Sequence, residues 1–162
     1  MKQTICINIV LVFSMLTLWG CGSGGNGTSN TYISKSTLAG TVSPSVNGIQ
    51  ITLVLPTGVT AQTDGSGQPL VTVLAPNNFT ASNGSLIAIY TPASGATPGK
   101  VAITIIRASG FTAGDFFSVA CEVAAGQAVP AASAFSYEGL TLFDSNGADI
   151  TSSIGATASI TL

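Results

Sequence analysis

The chain has 162 residues, of which 46% are hydrophobic and 6% charged, with a formal net charge of −2 and no histidine. That length suits one domain of ordinary size. So few Lys and Arg exclude a nucleic-acid footprint and a polybasic membrane patch, and the lack of histidine excludes a Ser-His-Asp triad and zinc sites built on His and Cys clusters.

The first predicted element is a leader. Lys2 supplies a positive start, a mostly apolar run covers Ile5 to Trp19, and Gly20 is a small residue at a cleavage point. This is the build of a secretory signal peptide, and the run is shorter than the roughly 20 apolar residues of a spanning helix. The text LWGC (18–21) then resembles the lipobox of bacterial lipoproteins, with Leu18 and Gly20 matching that pattern. The resemblance implies cleavage before Cys21, lipidation of the Cys21 thiol, and export to a lipid-anchored position at the outer membrane or cell surface. Residues 1–20 are thus expected to be leader. Residues 21–37, rich in Gly and Ser, are expected to be a flexible tether holding the domain clear of the bilayer. Without Lys2, the chain keeps Lys35, Lys100 and Arg107 against six acids, a net charge of −3.

From residue 38 to 162 the apolar residues recur at every second position, which predicts strands in one all-β domain. The first candidate is LAGTVS (38–43). In GIQITLVLPTGV (48–59), Ile49, Ile51, Leu53 and Leu55 share a face, and Pro56 and Gly58 end the run. PLVTVLA (69–75), SLIAIYT (85–91) and KVAITIIRA (100–108) follow. In the last of these Ile106 lies opposite Ile103 and Ile105, which predicts a central strand partly covered on both sides. DFFSVACEVA (115–124) places Phe117, Val119, Cys121 and Val123 on one apolar parity and Phe116 on the other. Cys6 leaves with the leader and Cys21 is taken by lipid. Cys121 then has no disulfide partner, and its parity predicts a core thiol with no base beside it. FSYEGLTLFD (135–144) carries Gly139 inside a strand pattern, the sign of a bulge or bend. IGATASITL (154–162) completes the set. Turn formers such as Asp64-Gly65, Asn83-Gly84 and Asn146-Gly147 separate these runs. Eight short strands at this spacing predict a β-sandwich or barrel.

TVSPSVNGIQITLVLPTGVTA, GKVAITIIRASGFTAGDFFSVACEVAAG and FSYEGLTLFDSNGADIT together resemble cohesin-like domains over about residues 38–162. The resemblance implies a jelly-roll β-sandwich of about nine strands, related to the carbohydrate-binding-module fold. It also implies recognition of a dockerin-like protein partner through a sheet face.

Candidate chemistry is sparse. The six acids, Asp64, Asp115, Glu122, Glu138, Asp144 and Asp149, fall mostly in or beside turns, which does not suggest the facing carboxylates of a glycosidase. No catalytic residue, no cofactor and no enzyme activity are expected. In DSNGAD (144–149), Asp144, Asn146 and Asp149 offer the hard oxygen ligands calcium prefers, while Asn146-Gly147 between apolar runs reads as a hairpin turn. The Asn-x-Ser/Thr sequons at Asn26, Asn78 and Asn83 read as composition. Nine aromatic residues follow Trp19. Phe116 by its parity, and Tyr90 and Tyr137 by their polar tips, are the candidates for an exposed ligand contact. The expected function is a binding module for an envelope protein partner. A polysaccharide ligand and a purely structural envelope role are the alternatives.

Overall fold

The computed structural model describes residues 29–40, 42, 46–74, 79–80 and 82–162. Nine strands run through them in chain order: β1 Asn30–Gly40, β2 Gly48–Val54, β3 Val59–Ala61, β4 Val71–Val73, β5 Gly84–Thr91, β6 Lys100–Arg107, β7 Gly114–Val123, β8 Ser136–Phe143 and β9 Ala156–Thr161. They form two antiparallel sheets. The five-stranded sheet has the order β3-β7-β1-β9, with β4 also pairing β7; the four-stranded sheet has the order β5-β6-β2-β8. One core lies between them, built from Leu38, Phe117, Val119 and Cys121 on one side and Ile49, Ile51, Leu53, Ile103, Ile105 and Leu142 on the other. The chain is a β-sandwich. No helix among the described residues is long and apolar enough to cross a membrane.

The strands begin and end where the turn chemistry places them. β2 stops at Val54, and the Val59 N–H closes a turn on the Pro56 carbonyl at 3.1 Å with Gly58 at φ +81°. A short strand, β3, follows that turn, where the periodic pattern is too brief to stand out. Two hairpins are built alike. Asp64 Oδ1 accepts the N–H groups of Ser66 (2.8 Å) and Gln68 (3.0 Å), and Asp144 Oδ1 accepts those of Asn146 (2.8 Å) and Ala148 (2.9 Å). Each turn ends on a left-handed glycine three residues after the aspartate, Gly67 and Gly147. An Asp that satisfies its own turn and a Gly that takes the positive φ are what such turns require.

Three expectations need correction. The tether was expected to extend to residue 37, but β1 starts at Asn30 and lies inside its sheet, between β7 and β9. Its core-facing positions include Ser34 and Ser36, both fully buried. Small polar residues at inward positions make a strand resemble a linker in composition. Phe116 was expected to face out. The pairing shifts there: Ser36 stands opposite Phe117 and Thr37 opposite Asp115, so Phe116 is the extra residue of a β-bulge. The bulge re-aims its side chain. The ring is 1% exposed and stands edge-on to Phe117, centroids 4.7 Å apart. β6 is central, between β5 and β2, but it is covered on one side only, and Ile106 is 53% exposed.

The reading of Gly139 holds. Thr52 pairs with Glu138 and Gln50 with Thr141, leaving Gly139 and Leu140 opposite one residue of β2, with Gly139 at φ +61°. This is a bulge that needs glycine. It restores inward parity at Leu142, which is fully buried.

Candidate functional site

The register of the four-stranded sheet determines what its outer face presents. Inward rows carry the core, such as Leu86–Ile105–Ile49–Leu142. Outward rows alternate with them: Ser85–Ile106–Gly48–Phe143, then Ile87–Thr104–Gln50–Thr141, then Ile89–Ala102–Thr52–Glu138. Ile87, Ile89 and Ile106 are 56%, 59% and 53% exposed. An apolar patch on an otherwise small and polar face marks an interaction surface more often than scattered single residues do.

The first of those rows floors a groove of about 860 Å³. Gly48 has no side chain, so a trough lies between Ile106 and Phe143. Phe143 leans over it: a Cβ at Gly48 would stand 3.1 Å from the Phe143 Cβ. One wall is the Asp144 turn and the other is the segment leading into β5, with Ser82 and Asn83. Asn47 fastens the end of the groove. Its Nδ2 donates to the carbonyls of Arg107 (3.1 Å) and Ala108 (3.0 Å), and its own carbonyl accepts the Arg107 N–H at 2.7 Å. The floor is apolar, and the lining also carries amides, hydroxyls, the Asp144 carboxylate and the buried Arg107. Hydrogen bonds from the Ala148 and Asn146 N–H groups hold the Asp144 carboxyl below the usual carboxylate range.

The residues singled out from the sequence fall elsewhere, with one exception. Tyr90 and Tyr137 share an inward row, Tyr90–Val101–Leu53–Tyr137, at opposite edges of the sheet. The Tyr137 hydroxyl donates to Ser36 Oγ of the facing sheet, and burial pushes its pKa up to about 12. Tyr90 packs against the core, with its hydroxyl oxygen buried and unpartnered among the described residues. Neither phenol reaches the open face. Asp144 lies on the groove rim. It and Asp149 serve as turn acceptors, Asp149 Oδ1 taking the Thr151 N–H (2.9 Å) and hydroxyl (2.6 Å). Among the described residues no three of His, Cys, Asp and Glu are grouped as metal ligands. Cys21 lies outside the described residues.

Cys121 stands opposite Tyr32 across β7 and β1, fully buried. Burial pushes the thiol up to about 12, so it is protonated at neutral pH. Glu122 and Glu138 project from opposite outer faces of the sandwich. Glu138 meets Lys100 at 2.7 Å, and Glu122 lies 3.4 Å from the Thr60 hydroxyl. Those two carboxylates do not face each other.

The sequence reading missed Ile87, Ile89 and the groove. The signal was present in SLIAIYT, where both parities are apolar, but which parity faces out depends on the pairing with β6. Comparison with protein-family profiles, with curated proteins and with solved structures found no match.

Proposed function

We propose that this chain is a non-catalytic binding module that takes a protein partner on the outer face of its four-stranded sheet. The observation that carries this reading is the row Ser85–Ile106–Gly48–Phe143, with its half-exposed isoleucine beside a trough. The partner presents an apolar side chain to Ile106 and the trough, flanked by Lys, Arg or amide groups that meet Asp144 and Gln50. A desolvated apolar anchor with a polar rim is how protein interfaces concentrate their affinity. The nine-strand sandwich is also the architecture implied by the resemblance to cohesin-like domains, whose partner docks on a sheet face.

In this reading Cys21 carries the lipid, so the module acts at the cell envelope. Mass spectrometry of the native amino terminus tests that part. An acylated Cys21 supports it, and retained residues 1–20 refute it.

The partner reading is tested by pull-down from an envelope extract with wild type, Ile106→Lys and Lys35→Glu, the last on the opposite face. A stoichiometric partner lost with Ile106→Lys and kept with Lys35→Glu is the expected result. Equal capture by all three refutes the groove as the site. One observation favours a polysaccharide instead: Phe143 lines the groove among Asn47, Gln50 and Asp144, an aromatic with hydrogen-bonding neighbours. Binding to glycan arrays that falls with Phe143→Ala would select that reading.

A further inference from the structure

The edges of the two sheets are not equally guarded. The outer edge of β8 is occupied: the Leu142 carbonyl accepts the Ile150 N–H at 2.9 Å, the Leu142 N–H donates to Thr151 Oγ1 at 2.8 Å, and Phe143 bridges Asp149. β8 also carries a bulge and a glutamate. In the other sheet β3 and β4 are three residues each, and β9 turns Thr157, Ser159 and Thr161 outward. Short strands, bulges, charges and covering segments are how proteins blunt an edge. Among the described residues β5 has none of them beyond the Thr80 carbonyl that takes its Gly84 N–H. It is eight residues long, GSLIAIYT, with no charge and no proline. Among the described residues it pairs with β6 alone.

The phase of the β5–β6 ladder shows which groups are left over. The Ala108 N–H donates to the Asn83 carbonyl at 3.1 Å, so Asn83 and Ala108 are a hydrogen-bonded pair. Antiparallel pairs alternate between bonded and non-bonded. Ser85, Ile87, Ile89 and Thr91 therefore bond to β6, and Leu86, Ala88 and Tyr90 turn their N–H and C=O groups to the bare edge. The first group of this outward set is already used, since the Gly84 N–H reaches the Thr80 carbonyl at 3.1 Å.

We infer that the bare edge of β5 pairs antiparallel with β5 of a second copy of this chain, about a two-fold axis through Ala88. The strand is its own complement in that register. Ala88 bonds Ala88 of the second copy, and Leu86 bonds Tyr90 of the second copy in both directions. All the N–H and C=O groups of Leu86, Ala88 and Tyr90 are then used. On the outer face Ile87 stands opposite Ile89 of the second copy, so four half-exposed isoleucines close into one cluster. Ser85 faces Thr91 at each end. No like charges meet, because Lys100 is held by Glu138 on the far side of β2. The two-fold closes the contact, so it yields a dimer and not a fibre. The result is a continuous eight-stranded sheet that leaves both grooves open. A single edge contact sits at the small end of specific interfaces, so the dimer dissociates on dilution.

The test uses the full chain with one cysteine added in each of two variants, Ile87→Cys and Ile89→Cys, both at exposed positions. In the inferred register residue 87 faces residue 89 of the second copy across a non-bonded pair, with Cα atoms about 4.5 Å apart, within disulfide range. Residue 87 faces its own counterpart only diagonally, at about 7–8 Å. Mild oxidation of the mixed variants gives a disulfide dimer on a non-reducing gel, mapped by fragmentation mass spectrometry to the two β5 peptides. Each variant alone gives several-fold less of that link. Sedimentation of wild type shows mass rising with concentration, abolished by Ile89→Lys and kept by Ile106→Lys. Equal cross-linking of each variant alone, a wild type that stays monomeric at the highest soluble concentration, or loss of association with Ile106→Lys would each overturn the inference. Partner capture on the groove is read separately, so the two readings fail independently.

Discussion

The Tyr137 hydroxyl on β8 donates to Ser36 Oγ on β1, joining the two sheets across the core from strands that share no edge. Ser36 is fully buried, so bulk solvent does not reach it to replace that donor. Tyr137→Phe strands the buried Ser36 hydroxyl, while Ser36→Ala leaves the Tyr137 hydroxyl only the Ser159 carbonyl at 3.4 Å. Each is expected to cost about 1–2 kcal/mol, read from urea unfolding. The double variant costs less than the sum, because neither member of this pair is then left without the other.

Phe116→Ala removes a ring that the β7 bulge has turned into the sandwich. Its expected cost is about 3–5 kcal/mol, the scale of a buried phenylalanine. An exposed ring would cost within about 0.5 kcal/mol of nothing. Chemical denaturation of this one variant separates the two placements.

Two glycines should respond for different reasons. Gly139 sits at φ +61° with open space where a Cβ would go, so Gly139→Ala carries backbone strain alone, about 1–2 kcal/mol. At Gly84 a Cβ would collide with the Phe79 ring and stand 2.6 Å from the Ile106 carbonyl oxygen. Gly84→Ala must displace main chain of β6 and costs more than Gly139→Ala in thermal unfolding.

Alkaline pH should weaken the fold across a defined window. Burial raises Cys121 from 9.0 to about 12 and Tyr137 from 10.0 to about 12, and raises Tyr32 as well. The native chain keeps these protons where the unfolded chain releases them. Their contribution is therefore complete below pH 9 and is lost as pH rises from about 9 to about 12. Urea midpoints measured across that range should fall, and Cys121→Ala should flatten the fall between pH 9 and 10.

The acid side reports on the turns. The Ala148 and Asn146 N–H groups lower Asp144, and the Thr151 hydroxyl and N–H lower Asp149. Their support for the 144–151 segment is present above the ordinary value of 3.8 and fades as pH falls through the lower native values. NMR titration of the two carboxyls should give midpoints below 3.8. The Asn146 and Ala148 amide shifts should follow the Asp144 titration.

Most strands were legible because one apolar face demands alternation. Ile49, Ile51, Leu53 and Leu55, and likewise Phe117, Val119, Cys121 and Val123, are buried as their parity requires. The glycine at 139 announced its bulge because only glycine takes that φ at little cost. The bulge at Phe116 carried no such mark, since a bulged residue of this kind needs no special side chain. β1 was hidden in part by its buried serines, and β3 by its three-residue length. The groove arises from Gly48 lying between Ile106 and Phe143, a neighbourhood made by three strands distant in sequence.

The chain's own residues determine that it is all-β, that its strands carry one inward parity, and that it has no histidine. Alternation and composition are local properties, and local rules suffice to read them. Which strands are edges, which apolar residues are left outside, and which polar groups meet across the core were decided by tertiary pairing. Register couples residues tens of positions apart, and a single bulge reverses every facing on one side of it.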